Sequence, residues 1–98
     1  APARVDPAKA LRVAILARAA GDAAAARDLA ASLQKLGQAL LGQAQAEMAL
    51  ASFAEAVATL RDLAQKDASN TALQLDLCYA LIGMGDAKAA LADLARGD

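Results

Sequence analysis

The sequence predicts an all-α protein of stacked antiparallel helical hairpins, and three observations carry that expectation. Ala and Leu dominate the 58% apolar fraction while aromatics are 2%, so strong helix formers abound and strand-preferring residues are scarce. Prolines stand only at positions 2 and 7, so the strongest helix breaker is missing from the rest of the chain. Leucines recur at intervals of three and four, the spacing that keeps side chains on one helix face. A chain of 98 residues makes one small domain, expected to span 1–98, or a fragment of a longer repeat array. It buries only about 60–65% of its unfolded surface, so its stability margin is thin.

The elements follow in order. Asp6-Pro7 opens a first helix near 7–19, with Asp as N-cap and Pro at the first helical position. Leu11, Val13, Ile15 and Leu16 are its apolar residues, and Gly21 stops it. Asp22 caps a second helix near 23–41, striped by Leu29, Leu33, Leu36 and Leu40. Around Gly42-Gln43-Ala44-Gln45 the stripe weakens, although Ala and Gln are comfortable in helices. A third stripe follows near 46–66, with Leu50, Phe53, Val57, Leu60 and Ala64 on one face and Glu55, Thr59 and Asp62 on others. Both stripes on one straight helix would need on the order of 70 Å, so a hairpin turn near 42–46 is expected instead.

Asp67-Ala68-Ser69-Asn70 is the clearest loop, with Asn70 as N-cap of a helix near 71–83 carrying Leu73, Leu77 and Leu81. Gly83-Met84-Gly85-Asp86 reads as a glycine stop and an Asp cap, and a fifth helix near 87–96 carries Ala90, Leu91 and Leu94. The closing Gly97-Asp98 repeats that turn signal, as an array of hairpins would. Leu36, Leu40, Phe53, Leu60, Leu77 and Leu81 are the expected core. Cys78 is expected to be a small buried hydrophobe.

Charge and composition exclude several classes. The net charge of −1 leaves no electrostatic footprint for nucleic acid or an anionic membrane. It is unevenly spread: residues 1–45 hold six basic and three acidic side chains, residues 46–98 four and eight. Solvated helix faces account for that asymmetry, which could also orient neighbours in an array. No apolar run approaches the roughly 18–20 residues of a membrane span. One cysteine precludes an internal disulfide and leaves the redox compartment open. The chain begins Ala-Pro-Ala without Met, as a processed mature end or an excised domain would, so bacterial cytoplasm and periplasm both stay possible.

No catalytic apparatus is visible. The chain has no His, so a Ser–His or Cys–His nucleophile pair cannot be built. The acids are scattered singly: Asp22, Asp28, Asp67 and Asp86 fall mostly where capping explains them. No glycine loop is followed by the Lys-Ser or Lys-Thr that cradles phosphate. No cofactor, no metal site and no enzymatic activity are therefore expected.

The helical segments resemble the tetratricopeptide repeat (TPR) family, whose unit is an antiparallel helix pair of about 34 residues. In residues 70–94, Leu77, Cys78 and Leu81 resemble its large-small-large first-helix signature, Gly85-Asp86 its turn, and Ala90 and Leu94 its second helix. In residues 30–66, Leu36, Gly37 and Leu40 take the first-helix places, and Ala49, Phe53 and Ala56 those of the second. The sequence departs from the pattern in three ways. Ala44 stands where the turn usually has Gly, Ala68 stands where a Pro closes the repeat, and Gly37 and Cys78 lie 41 positions apart. The longer period is similar to that of TPR variants common in bacterial proteins. The resemblance covers about 65 residues and implies a short α-solenoid: an extra or half-repeat helix in 1–21, a first repeat in 22–69 and a second, truncated one in 70–98. Thirty-one alanines suit such close helix packing, at the short end of the roughly 8–10 Å interaxial range.

In that family set positions of each first helix line a concave groove. The resemblance places Gln34, Lys35, Gln38 and Leu41 there, then Leu75, Asp76, Tyr79 and Ile82. The family's carboxylate grip of Lys, Arg and Asn is not matched, because Gln34 and Gln38 replace the cation and amide and Asp76 would repel a carboxylate. The implied function is a protein–protein interaction module, an adaptor or docking segment of a larger bacterial protein. Its binding residues would be Gln34, Lys35, Gln38, Asp76, Tyr79 and Ile82. Asp76 is expected to favour a basic ligand side chain, with Lys35 softening that preference. The alternative is a self-associating helical spacer. An enzyme would need residues outside this chain.

Overall fold

The computed structural model describes residues 23–97. The expected helix near 7–19, its Asp6-Pro7 start, Gly21 and the Asp22 cap lie outside the described residues. Within them the chain forms three helices, α1 (Ala23–Gly42), α2 (Ala46–Lys66) and α3 (Thr71–Ala95), and no strand.

The hairpin turn expected near 42–46 is present. Ala44 adopts φ 60°, and the Gln45 N–H donates to the Leu40 carbonyl at 2.8 Å while Ala44 N–H donates to Leu41 at 3.0 Å. These two bonds form the Schellman motif, which satisfies helix-terminal carbonyls through one left-handed residue. That residue is usually Gly; an L side chain there costs about 1–2 kcal/mol. Ala44→Gly is therefore expected to stabilise the fold by about 1 kcal/mol after the entropy of a freer unfolded chain is subtracted. A urea unfolding midpoint that falls instead would sink this reading of the turn.

The second connection follows its side chains. Asn70 Oδ1 accepts from the Leu73 N–H at 3.2 Å, as an N-cap should. Its Nδ2 donates to Asp67 Oδ2 at 3.1 Å, and the Asp67 N–H closes α2 on the Leu63 carbonyl. Glu47 in the first turn of α2 and Lys66 in its last suit the helix dipole.

The helices pack as sequential antiparallel neighbours. Ala26, Ala30 and Leu33 of α1 meet Ala56, Val57, Leu60 and Leu63 of α2 and Leu73 and Ala80 of α3 in one buried cluster. Leu40, Ala49, Phe53 and Ala87 form a second near the first turn. Leu40, Phe53 and Leu60 are buried as expected, and Leu36 and Leu77 pack partly buried against the clusters. Alanines occupy many of these positions, so the axes are held close by small residues rather than by thick side-chain layers. As the central helix, α2 is buried around a wide arc. Thr59, expected on an outer face, is fully buried, as is Ser52 seven residues before it.

The largest correction concerns α3. The expected stop at Gly83-Met84-Gly85-Asp86 and the separate fifth helix are absent: one helix runs from Thr71 to Ala95. The physical reason is tertiary. Gly83 packs against the Phe53 ring and Ala87 is fully buried with Leu40, Ala49 and Phe53, so helical continuity carries residues on both sides of the glycines into the same core. The rotation of α3 follows from this. Its buried stripe is Leu73, Ala80, Gly83 and Ala87, which turns Cys78 outward, exposed rather than buried. Leu81 is likewise 37% exposed and Leu94 59%. Asp86, expected as a cap, stands inside the helix.

Candidate functional site: the face shared by α1 and α3

α1 and α3 run parallel on one side of α2, and polar groups join them there. Arg27 Nε lies 3.3 Å from Asp76 Oδ2 in a salt bridge between part-exposed side chains. Gln34 Nε2 donates to the Asp76 carbonyl at 3.4 Å. Arg27 and Gln34 are seven residues apart, two turns along one face of α1. The two contacts follow from how far α3 is advanced along α1, and an ion pair this exposed contributes at most about 1 kcal/mol.

The expected binding residues fall into three groups. Gln34 and Asp76 meet directly, as described. Tyr79 and Ile82 are exposed at 64% and 60%, with Leu75 at 54%. Leu75, Tyr79 and Ile82 are spaced four and three apart, so they form one apolar stripe along α3 beside Asp76. Gln38 is exposed one turn beyond Gln34. Lys35 is exposed on the side of α1 away from its buried Leu33, Gly37 and Leu40 stripe, and so stands apart from the other five. Leu41 is half-buried, packed against the cluster around Phe53.

One expectation needs revision. Asp76 is not an isolated acid: Arg27 partners its carboxylate, which reduces its pull on a basic ligand. Arg27 was not singled out from the sequence. A lone Arg in a helix is an ordinary solvated residue, and nothing local announces a partner 49 positions away.

Among the described residues, no group of three or more His, Cys, Asp or Glu is placed to hold a metal ion. No helix among them is long and apolar enough to cross a membrane. Comparison of the chain with protein-family models, with curated proteins and with solved structures finds no match.

Proposed function

We propose that the chain is a protein-interaction module of TPR-like design, without catalytic activity of its own, that binds a peptide segment along the α1–α3 face. The observation that carries this reading is the Leu75–Tyr79–Ile82 stripe. Large apolar side chains more than half exposed on one helix face suit an apolar ligand side chain, and the exposed amide of Gln38 on α1 suits a peptide backbone. Because Arg27 answers the Asp76 charge, the ligand's anchor is apolar rather than basic. The packing of Gly37 on Phe53 lends support to the repeat resemblance in 22–69, where both residues hold signature places. The continuous α3 departs from it in 70–98.

The test is selection of peptides on the immobilised 98-residue chain, followed by calorimetry against the parent and Tyr79→Ala. Truncating an interface aromatic typically costs 2 kcal/mol or more, about thirtyfold in affinity. Tyr79→Ala is expected to lose at least that while its helical circular dichroism is unchanged. Equal affinity for both proteins would reject this face as the site. A second reading, the self-associating spacer, draws on the concentration of exposed large apolar residues on α3: Leu75, Tyr79, Leu81, Ile82 and Leu94. A concentration-dependent dimer in analytical ultracentrifugation, abolished by Tyr79→Ala, would favour it.

A further inference from the structure

We infer that the ligand of the α1–α3 face carries a cation beside its apolar anchor, and that Asp86 receives it. The inference rests on the proposed binding role and adds the ligand's chemistry and direction. Leu75, Tyr79, Ile82 and Asp86 follow one another at intervals of four, three and four, so the acid continues the exposed apolar stripe by one turn. Its own side chain is exposed. Nothing in the fold uses it. The helix runs unbroken through this point, so Asp86 caps no helix end. The positions one turn away on either side are Ile82, Gly83, Ala89 and Ala90, and none can pair with a carboxylate. Asp is also among the weaker ordinary residues in a helix interior, so the helix itself gains nothing from it.

The neighbouring acids are answered. Arg27 partners Asp76, and Arg96 partners Asp93, the next acid along the stripe. Among the described residues Asp86 belongs to none of the ion pairs. A ligand that covers the stripe takes water away from this carboxylate, and a charge so covered needs a partner. A second copy of this chain brings none. Arg27, the basic residue beside the stripe, is already engaged, and Lys88 stands about 200° around the helix from Asp86. A peptide bearing Lys or Arg supplies the charge instead. Geometry sets its place in the peptide. Asp86 lies about 6 Å along the axis from Ile82 and about 10 Å from Tyr79, and an extended chain advances about 3.3 Å per residue. The cation therefore stands two or three positions from the apolar anchor, toward the C-terminal end of α3. The opposite end of the face, where Arg27 and Asp76 neutralise each other, takes uncharged residues.

The probe is a random peptide library, selected in parallel on the immobilised full chain, on Asp86→Lys and on Glu47→Lys, an exposed acid of α2 that lies outside this face. The parent and Glu47→Lys are expected to enrich peptides with Lys or Arg two or three positions from an apolar residue. Asp86→Lys is expected to enrich Glu or Asp at that place. Calorimetry then compares one selected peptide with its analogue in which the cation is replaced by glutamine. The parent should lose about three- to fivefold in affinity, as an exposed ion pair allows, while Asp86→Asn should bind both peptides alike. Circular dichroism checks that each variant stays helical. Selected peptides that lack the cation but are still weakened by Tyr79→Ala would overturn this inference and leave the binding face standing. No enrichment, or binding indifferent to Tyr79→Ala, would reject the face and the inference with it. A dimer in ultracentrifugation that tightens on Asp86→Asn would mean that a second copy covers the stripe, and would also overturn the inference.

Discussion

Phe53→Ala is expected to cost about 3–5 kcal/mol, the usual range for removing a buried Phe ring. A domain of this size holds roughly 5–15 kcal/mol in all, so the variant should be marginal or unfolded at physiological temperature. Phe53 is 1% exposed, among the largest fully buried side chains, and its ring touches both outer helices. It lies against Gly37 of α1 and Gly83 of α3, so removing it empties space from both interfaces of α2 at once. The glycines bring no side-chain atoms that could swing into the void, and closing it requires backbone movement. Chemical denaturation followed by circular dichroism checks this. A loss below about 1 kcal/mol would show that the helices collapse onto the space and that the ring is not a wedge.

Gly83→Ala carries the second large effect, and its sign discriminates between two terms. Helix propensity alone favours Ala by up to about 1 kcal/mol in a helix interior. Packing opposes it. An ideal Cβ at Gly83 would lie 2.6 Å from Phe53 Cδ1 and 2.7 Å from Cζ, with Cε1 closer still, against an ordinary contact of 3.4–4 Å. The ring is buried between helices and cannot swing aside, and overpacking of this kind typically costs about 1–3 kcal/mol, occasionally more. With Cε1 closest of all, the clash should reach the upper part of that range and win, leaving a net loss of up to about 2 kcal/mol. Gly37→Ala, 2.7–2.9 Å from three ring atoms, should behave alike. Gly85→Ala, with open space around it, should instead stabilise the helix by up to about 1 kcal/mol. The coupling is also measurable: in a Phe53→Leu background the cost of Gly83→Ala should shrink, because the partner of the clash has changed. A Gly83→Ala variant as stable as Gly85→Ala would refute the wedge.

The site was legible to different degrees. Tyr79 and Ile82 were reached through the repeat resemblance, and their exposure keeps them available. The pairing of Asp76 with Arg27 was not legible, because it depends on how far α3 is advanced along α1. That advance is a property of the packed helices and leaves no trace in either helix alone. Lys35 shared the repeat's numbering with Gln34, but one residue along a helix turns a side chain about 100°, enough to carry it to the outer side.

The helical class, the loop at 67–70 with its Asn70 cap, the turn at 42–46 and the burial of Leu40, Phe53 and Leu60 could all be read from the sequence. Propensity, capping and three-and-four spacing act within a few residues, and the structure does not override them there. The continuity of α3 is different. Local chemistry at Gly83–Asp86 favours a stop, and what opposes it is the contact of Gly83 and Ala87 with residues from α1 and α2 that lie 30 or more positions away. The same contacts set the rotation of α3, and with it the exposure of Cys78, Leu81 and Leu94. Only tertiary structure could decide these, because a glycine in a helix costs about 1 kcal/mol, less than the packing of one aromatic ring against two helices.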